Sequence, residues 1–245
     1  MEDCQDGSLR DLVALSYRSP ALAPVFAAVL RPGDCCYDVG ANIGVYTLWA
    51  AGLVHDVGEV HAFEPVPRTM AVLRALVGQN RLQNVRPSPV AVGSAVGNVG
   101  LQTTRNASGL AHVVDDAVPD VTTAMTTLDT YSTENRVPAL IKIDVEGFEL
   151  DVLRGAEELL RTSRPAILLE VVPSHLARRG TNSKELVGFL RELNYTIYNL
   201  TPRGLKPAYG TVYTTNVLAL SPEWDRLDYI VAELTRAIFP RNQIT

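Results

Sequence analysis

The residues best placed to do chemistry lie in short runs that close apolar stretches. Asp38-Val39-Gly40-Ala41-Asn42-Ile43-Gly44 carries two glycines, which let the backbone turn tightly and bring a ligand near the N–H groups that open the next helix. Glu64 follows Gly44 by 20 residues. At that spacing an acidic side chain after a second strand can accept both hydroxyls of a ribose. Tyr46-Thr47 stands where a dinucleotide fingerprint wants its third glycine. A zwitterionic amino-acid tail suits the turn better, with Asn42 as hydrogen-bond partner and Asp38 as acceptor for an ammonium group.

Lys142-Ile143-Asp144-Val145-Glu146-Gly147 is the second run. Alternation places Lys142, Asp144 and Glu146 on one side if the extended conformation persists, and Asp144 closes the strand where a reacting group would lie. Buried ions cost several kcal/mol each unless paired, so Lys142 is also expected to compensate Asp144 or Glu146. Glu170 ends a further apolar run, and His175 follows it within five positions with a side chain suited to accepting a proton near neutral pH. His112 is a reserve candidate; His55 and His61 read as structural or exposed.

Ligands in open α/β sheets bind at the carboxyl ends of strands, so the elements behind these runs matter. Strands are expected at 35–39, 59–64, 85–92, 139–144, 165–172, 195–200 and 213–220. Helices are expected at 44–53, 67–80, 148–161, 184–192 and 223–238. Two short helices at 9–30 lead in, and a β-rich excursion surrounds a candidate lid at 106–120. Alternation of this kind predicts an α/β fold with one doubly wound, mainly parallel sheet. No linker-like composition divides the chain, so residues 1–30 are expected as a helical extension and 31–245 as one domain.

Composition narrows the function classes. The chain has 245 residues, 47% of them hydrophobic, which is enough for a sizeable core. A net charge of −5 without a Lys/Arg cluster disfavours nucleic acid as partner. Cys4, Cys35 and Cys36 offer neither a disulfide framework nor a zinc pattern, and the adjacent pair should point to opposite faces of a strand. An acidic start and the lack of an apolar run of about 20 residues lead us to expect a soluble, cytoplasmic protein with no transmembrane segment.

Several motifs in order, Asp38 to Gly44, Ala62-Phe63-Glu64-Pro65, Thr127-Leu128-Asp129, Ile141 to Gly147 and Leu153-Arg154-Gly155-Ala156, resemble the FkbM family of S-adenosylmethionine-dependent methyltransferases over residues 31–173. The resemblance implies a class I methyltransferase (Rossmann-like) fold of seven strands with the last antiparallel, and O-methylation of a sugar, glycolipid or polyketide-type hydroxyl. It implies that Asp38, Gly40, Asn42 and Gly44 surround the methionine part of S-adenosyl-L-methionine and that Glu64 holds the ribose. Pro65 would shape that corner, Ala91 and its neighbours would flank adenine, and Asp144 would lie near the sulfonium.

The hydroxyl proton would pass to Asp144 or His175, with Glu146 orienting the group. In a second arrangement Asp144 and Glu170 hold Mg²⁺. The acceptor would be a small molecule or glycoconjugate, and a homo-oligomer is left open. A nucleotide-dependent oxidoreductase and a non-catalytic S-adenosylmethionine-binding protein remain as alternatives.

Overall fold

The computed structural model describes residues 22–104, 107–114, 118–201, 204–209, 212, 214–224 and 226–237. Cys4, Asn106 and the first of the two expected leading helices lie outside them.

Twelve strands are present among the described residues: β1 (Cys35–Val39), β2 (Glu59–Phe63), β3 (Val85–Ser88), β4 (Ala91–Val92), β5 (Gly97–Thr104), β6 (Ala107–Val114), β7 (Val121–Thr126), β8 (Leu140–Ile143), β9 (Ala166–Glu170), β10 (Thr196–Thr201), β11 (Gly204–Pro207) and β12 (Asn216–Leu220). Nine helices accompany them there: α1 (Ala23–Val29), α2 (Val45–Val54), α3 (Pro67–Gln79), α4 (Leu128–Ser132), α5 (Glu149–Arg154), α6 (Glu157–Ser163), α7 (Pro173–Arg178), α8 (Ser183–Glu192) and α9 (Leu227–Ala237).

The main sheet runs β11-β10-β12-β9-β8-β1-β2-β3. Its strand order reverses at β1, with β1 paired in parallel to both β2 and β8. β12 is antiparallel to both of its neighbours, β9 and β10. The doubly wound sheet with its last strand antiparallel is therefore present. It has eight strands rather than seven, because β11 returns from β10 as an antiparallel edge strand that its short, Pro-ended sequence does not announce.

Alternation along the central strands sorts side chains onto two apolar layers. Cys35, Tyr37, Val39, Ile141 and Ile143 join Leu153, Leu160 and Leu190 on one face. Cys36 and Leu140 join Phe26, Val29, Val54, Ile230 and Leu234 on the other. The paired cysteines thus do point to opposite faces. Val25, Phe26 and Val29 of α1 are buried, each contributing about 1.5–3 kcal/mol by leaving water, so α1 packs on the sheet.

Three local expectations are corrected. Residues 85–92 form two strands, not one, with the break at Pro89 between β3 and β4. Helix 148–161 divides into α5 and α6 at Gly155, where a Cβ would collide with the Gly93 carbonyl. Asp129 spans the break by accepting the backbone N–H groups of Glu158 (3.2 Å) and Leu159 (2.8 Å) at the start of α6. The expected lid at 106–120 instead contains β6, which pairs antiparallel with β5 in a second sheet of order β4-β7-β5-β6.

Candidate functional site

The parallel register sets Asp38 of β1 beside Lys142 of β8. Both side chains point to the α1/α2 side, Asp38 fully shielded and Lys142 4% exposed. Lys142 Nζ lies 3.3 Å from Asp38 Oδ1 and 3.5 Å from Asp144 Oδ2. It also donates to the Gly40 carbonyl (2.8 Å) and stands 5.2 Å from the Tyr46 ring centre. Thr47 Oγ1 donates to Asp38 Oδ2 at 2.6 Å. Burial disfavours the ammonium form, but Asp38 and Asp144 outweigh it and push the Lys142 pKa up.

Asp38 is engaged by Lys142 and, through Oδ2, by Thr47, while its Oδ1 accepts no hydrogen bond. Lys142 does compensate Asp144, as expected, and lies closer still to Asp38.

Above this pair the chain turns from β1 into α2. Gly40 has φ +74° and Gly44 φ +98°. A Cβ at Gly40 would overlap the Asp144 carbonyl, and one at Gly44 would overlap Leu73. Gly40 is thus demanded by packing as well as by backbone conformation, and Gly44 by its left-handed backbone. Asn42 takes φ +50° and uses its side-chain carbonyl locally, accepting from Ile43 N–H at 2.8 Å.

Glu64, just beyond β2, closes the turn from the other side. Its Oε2 accepts Asn42 N–H at 3.0 Å and its Oε1 accepts Val66 N–H at 2.9 Å. Burial pushes its pKa up to about 7 against the lowering effect of those two N–H groups. Each oxygen keeps acceptor capacity for a further donor such as a sugar hydroxyl. Pro65 is half-buried at this corner. Ala91 is buried in β4, close to the corner where Ser88 O accepts both Glu64 N–H (3.2 Å) and Val90 N–H (2.9 Å).

The third part of the site lies past the carboxyl ends of β8 and β9. Here the extended conformation does not persist to Glu146: β8 ends at Ile143, Glu146 adopts φ +56° and Gly147 φ +107°. Glu149 holds this loop, its Oε1 accepting from Val145 N–H (3.3 Å) and Gly147 N–H (3.1 Å). A side chain at Gly147 would overlap the backbone of His175, which is carried on the short helix α7 and not on a loop. The turn therefore swings Glu146 away from Lys142 and toward α7. His175 Nδ1 comes within 2.9 Å of Glu146 Oε2, and Arg178 within 3.9 Å.

Glu170, at the end of β9, completes the group. Ligand atoms of Glu146, Glu170 and His175 all lie within 4.8 Å of one another, a grouping in which a metal ion could sit. Burial raises the Glu170 pKa to about 8, reinforced by the charge of Asp144 and its hydrogen bond to Glu170. Burial, reinforced by Asp144, raises Glu146 to about 7. The imidazole of His175 is lowered by burial and by Arg178, with His112 adding to the effect. Sequence reading singled out each of these residues but paired the metal with Asp144 and Glu170; the grouping seen here joins Glu146 and His175 to Glu170, while Asp144 pairs with Lys142 and also hydrogen-bonds to Glu170.

Among the described residues His61 is a structural histidine, its Nδ1 2.8 Å from Tyr131 Oη and its Nε2 3.1 Å from Glu59. No helix there is long and apolar enough to cross a membrane.

Comparison with known proteins adds a family. The sequence model described as "Methyltransferase FkbM domain" matches residues 38–197. The chain is 30% identical to "31-O-demethyl-FK506 methyltransferase FkbM" of Streptomyces tacrolimicus over 53% of its own length. It is also 30% identical to "Hexuronic acid methyltransferase AglP" of Haloferax volcanii over 65% of its own length. It spans 62% of the length of each of these relatives. Among solved structures, the methyltransferase FkbM of Methylobacillus flagellatus KT superposes with a TM-score of 0.53 at 17% identity, covering 81% of this chain and 50% of that one. That likeness establishes the fold.

Proposed function

The chain belongs to the FkbM family of methyltransferases, and on that premise we propose that it is an S-adenosylmethionine-dependent O-methyltransferase acting on a hydroxyl of a sugar, glycolipid or polyketide-type acceptor. The observation that carries the reading is Glu64, a shielded carboxylate tied to the N–H of Asn42 in the glycine turn and retaining acceptor capacity for two hydroxyl donors. That pair of acceptors fits the ribose hydroxyls of the cofactor. When bound, the cofactor supplies a methyl group on a positively charged sulfur.

The chain's own residues divide the remaining work. Glu64 would hold the ribose and Pro65 would shape its corner, while Ala91 and its neighbours would flank the adenine. Asp38, Gly40, Asn42 and Gly44 would surround the methionine part, with Asp38 held in place by Lys142. Asp144 would lie nearest the sulfur. Alignment of two reactants can remove about 7–11 kcal/mol from a barrier, and positioning is the main task of such a site. A hydroxyl must also lose its proton as its oxygen attacks. Asp144 or His175 would receive it, with Glu146 orienting His175, a role typically worth about 10²–10⁴ in rate.

The names of the two curated relatives mention 31-O-demethyl-FK506 and hexuronic acid, which supports an oxygen-bearing acceptor here. The decisive experiment incubates the protein with methyl-labelled S-adenosylmethionine and a panel of sugar, glycolipid and polyketide acceptors. Label should appear in an acceptor, and Asp144→Asn or His175→Ala should lower turnover at unchanged affinity for S-adenosylhomocysteine. Binding of the cofactor without transfer to any acceptor would favour a non-catalytic binding protein.

A further inference from the structure

Glu146, Glu170 and His175 come from three separate elements: the turn after β8, the end of β9, and α7. Their donor atoms converge within 4.8 Å on the edge of the sheet that also carries Asp144. Cis ligands of a metal bound at about 2.0–2.2 Å stand about 3.0 Å apart. His175 Nδ1 and Glu146 Oε2, 2.9 Å apart, have that separation. Glu146 Oε2 is wholly shielded from solvent and yet accepts no hydrogen bond, even with Nδ1 so near. An imidazole nitrogen and an orphaned carboxylate oxygen that meet without a proton aimed between them are arranged as two electron-pair donors to a common cation.

Charge points the same way. Lys142 is held by Asp38 and Asp144, and Arg178 stands 3.9 Å from Glu146. Two acidic side chains, one of them hydrogen-bonded to Asp144, and one imidazole therefore face each other, with Arg178 beside Glu146 as a neighbouring positive charge. Glu149, by gripping the N–H groups of Val145 and Gly147, fixes the left-handed turn that presents Glu146, so this ligand is pre-set.

We propose that Glu146, Glu170 and His175 bind one divalent transition-metal cation on the acceptor side of the methyl-transfer centre. The mixed nitrogen and oxygen donor set suits Mn²⁺, Fe²⁺ or Zn²⁺ better than Mg²⁺, which prefers oxygen ligands in an all but ideal octahedron. With the cation in place His175 is a ligand, and Asp144 is left facing the acceptor hydroxyl. The cation's open positions would take the acceptor's oxygen atoms, which favours an acceptor with two neighbouring oxygens. The proposal rests on the reading of this edge as the methyl-transfer centre.

The test uses the full chain freed of metal by a chelator and titrated with Mn²⁺, with free Mn²⁺ followed by its paramagnetic resonance signal. S-adenosylhomocysteine is titrated in parallel by calorimetry. Wild type should bind one Mn²⁺ per chain, and Glu170→Gln and His175→Ala should each weaken it about tenfold or more while S-adenosylhomocysteine binding is unchanged. Absence of saturable Mn²⁺ binding by wild type, or undiminished binding by both variants, overturns the proposal. Should the variants fail to fold, an Mn²⁺-dependent rise in the Tm of wild type supports the site and its absence overturns it. Mn²⁺ binding without S-adenosylhomocysteine binding upholds the cation site and sinks the methyltransferase reading instead.

Discussion

Lys142 reaches across from β8 to Asp38 on β1, its register partner, and in the same reach donates to the Gly40 carbonyl, so one buried ammonium ties the sheet's reversal point to the ligand turn. Removing one member of such a pair leaves an uncompensated buried charge.

Lys142→Met should therefore destabilise the fold by about 3–5 kcal/mol, and adding Asp38→Asn to it should recover part of the loss. Urea denaturation of the two single variants and the double variant measures this. Near-wild-type midpoints for Lys142→Met would show that the pair does not support the turn.

Gly40→Ala and Gly52→Ala should have opposite effects. At Gly40 the backbone is left-handed and the added methyl meets the Asp144 carbonyl, so both the turn and the strand end must shift. Gly52 lies in α2 with open space around it, and alanine there should stabilise by about 0.5–1 kcal/mol. Thermal melts compare the two, and Gly40→Ala should also weaken S-adenosylhomocysteine binding.

Asp129→Ala should cost about 0.5–2 kcal/mol, since it removes the acceptor for two N–H groups at the start of α6. Cofactor affinity should not change. A large loss of cofactor binding from this substitution would mean that the Thr127-Leu128-Asp129 run serves the ligand and not the helix start.

The Glu64 carboxyl, raised to about 7, predicts two opposite pH trends. Its folded pKa exceeds the unfolded one, so its contribution to stability is full below about 4.5 and is lost as pH rises through about 7. Ribose hydroxyls need the ionised form as acceptor, so affinity for S-adenosylhomocysteine should fall by up to roughly tenfold per pH unit below about 7. Calorimetry from pH 5.5 to 8 should show proton release on binding in the acid range, absent in Glu64→Gln.

The central strands, the glycine turn and the acidic strand ends were legible in the sequence because each is a local pattern of burial and conformation. Register was not: nothing in the run around Lys142 shows that Asp38 is its neighbour across the sheet. Glu146 escaped its assigned side because Gly147 and the reach of Glu149 end the extended conformation, a matter of tertiary fit. β6 read as a loop because Ala107-Ser108-Gly109 has weak strand preference, and pairing with β5 supplies what the local sequence does not. The convergence of Glu170 with Glu146 and His175 is likewise non-local, and Pro173, which opens the helix that carries His175, is a start signal that the sequence analysis left unused.

The most direct test is a crystal structure of the protein bound to S-adenosylhomocysteine. The ribose hydroxyls should hydrogen-bond to Glu64, with the amino-acid tail against residues 40–44 and the sulfur toward Asp144. A nucleoside bound elsewhere, or a Glu64 carboxylate still meeting only the N–H groups of Asn42 and Val66, would contradict the account.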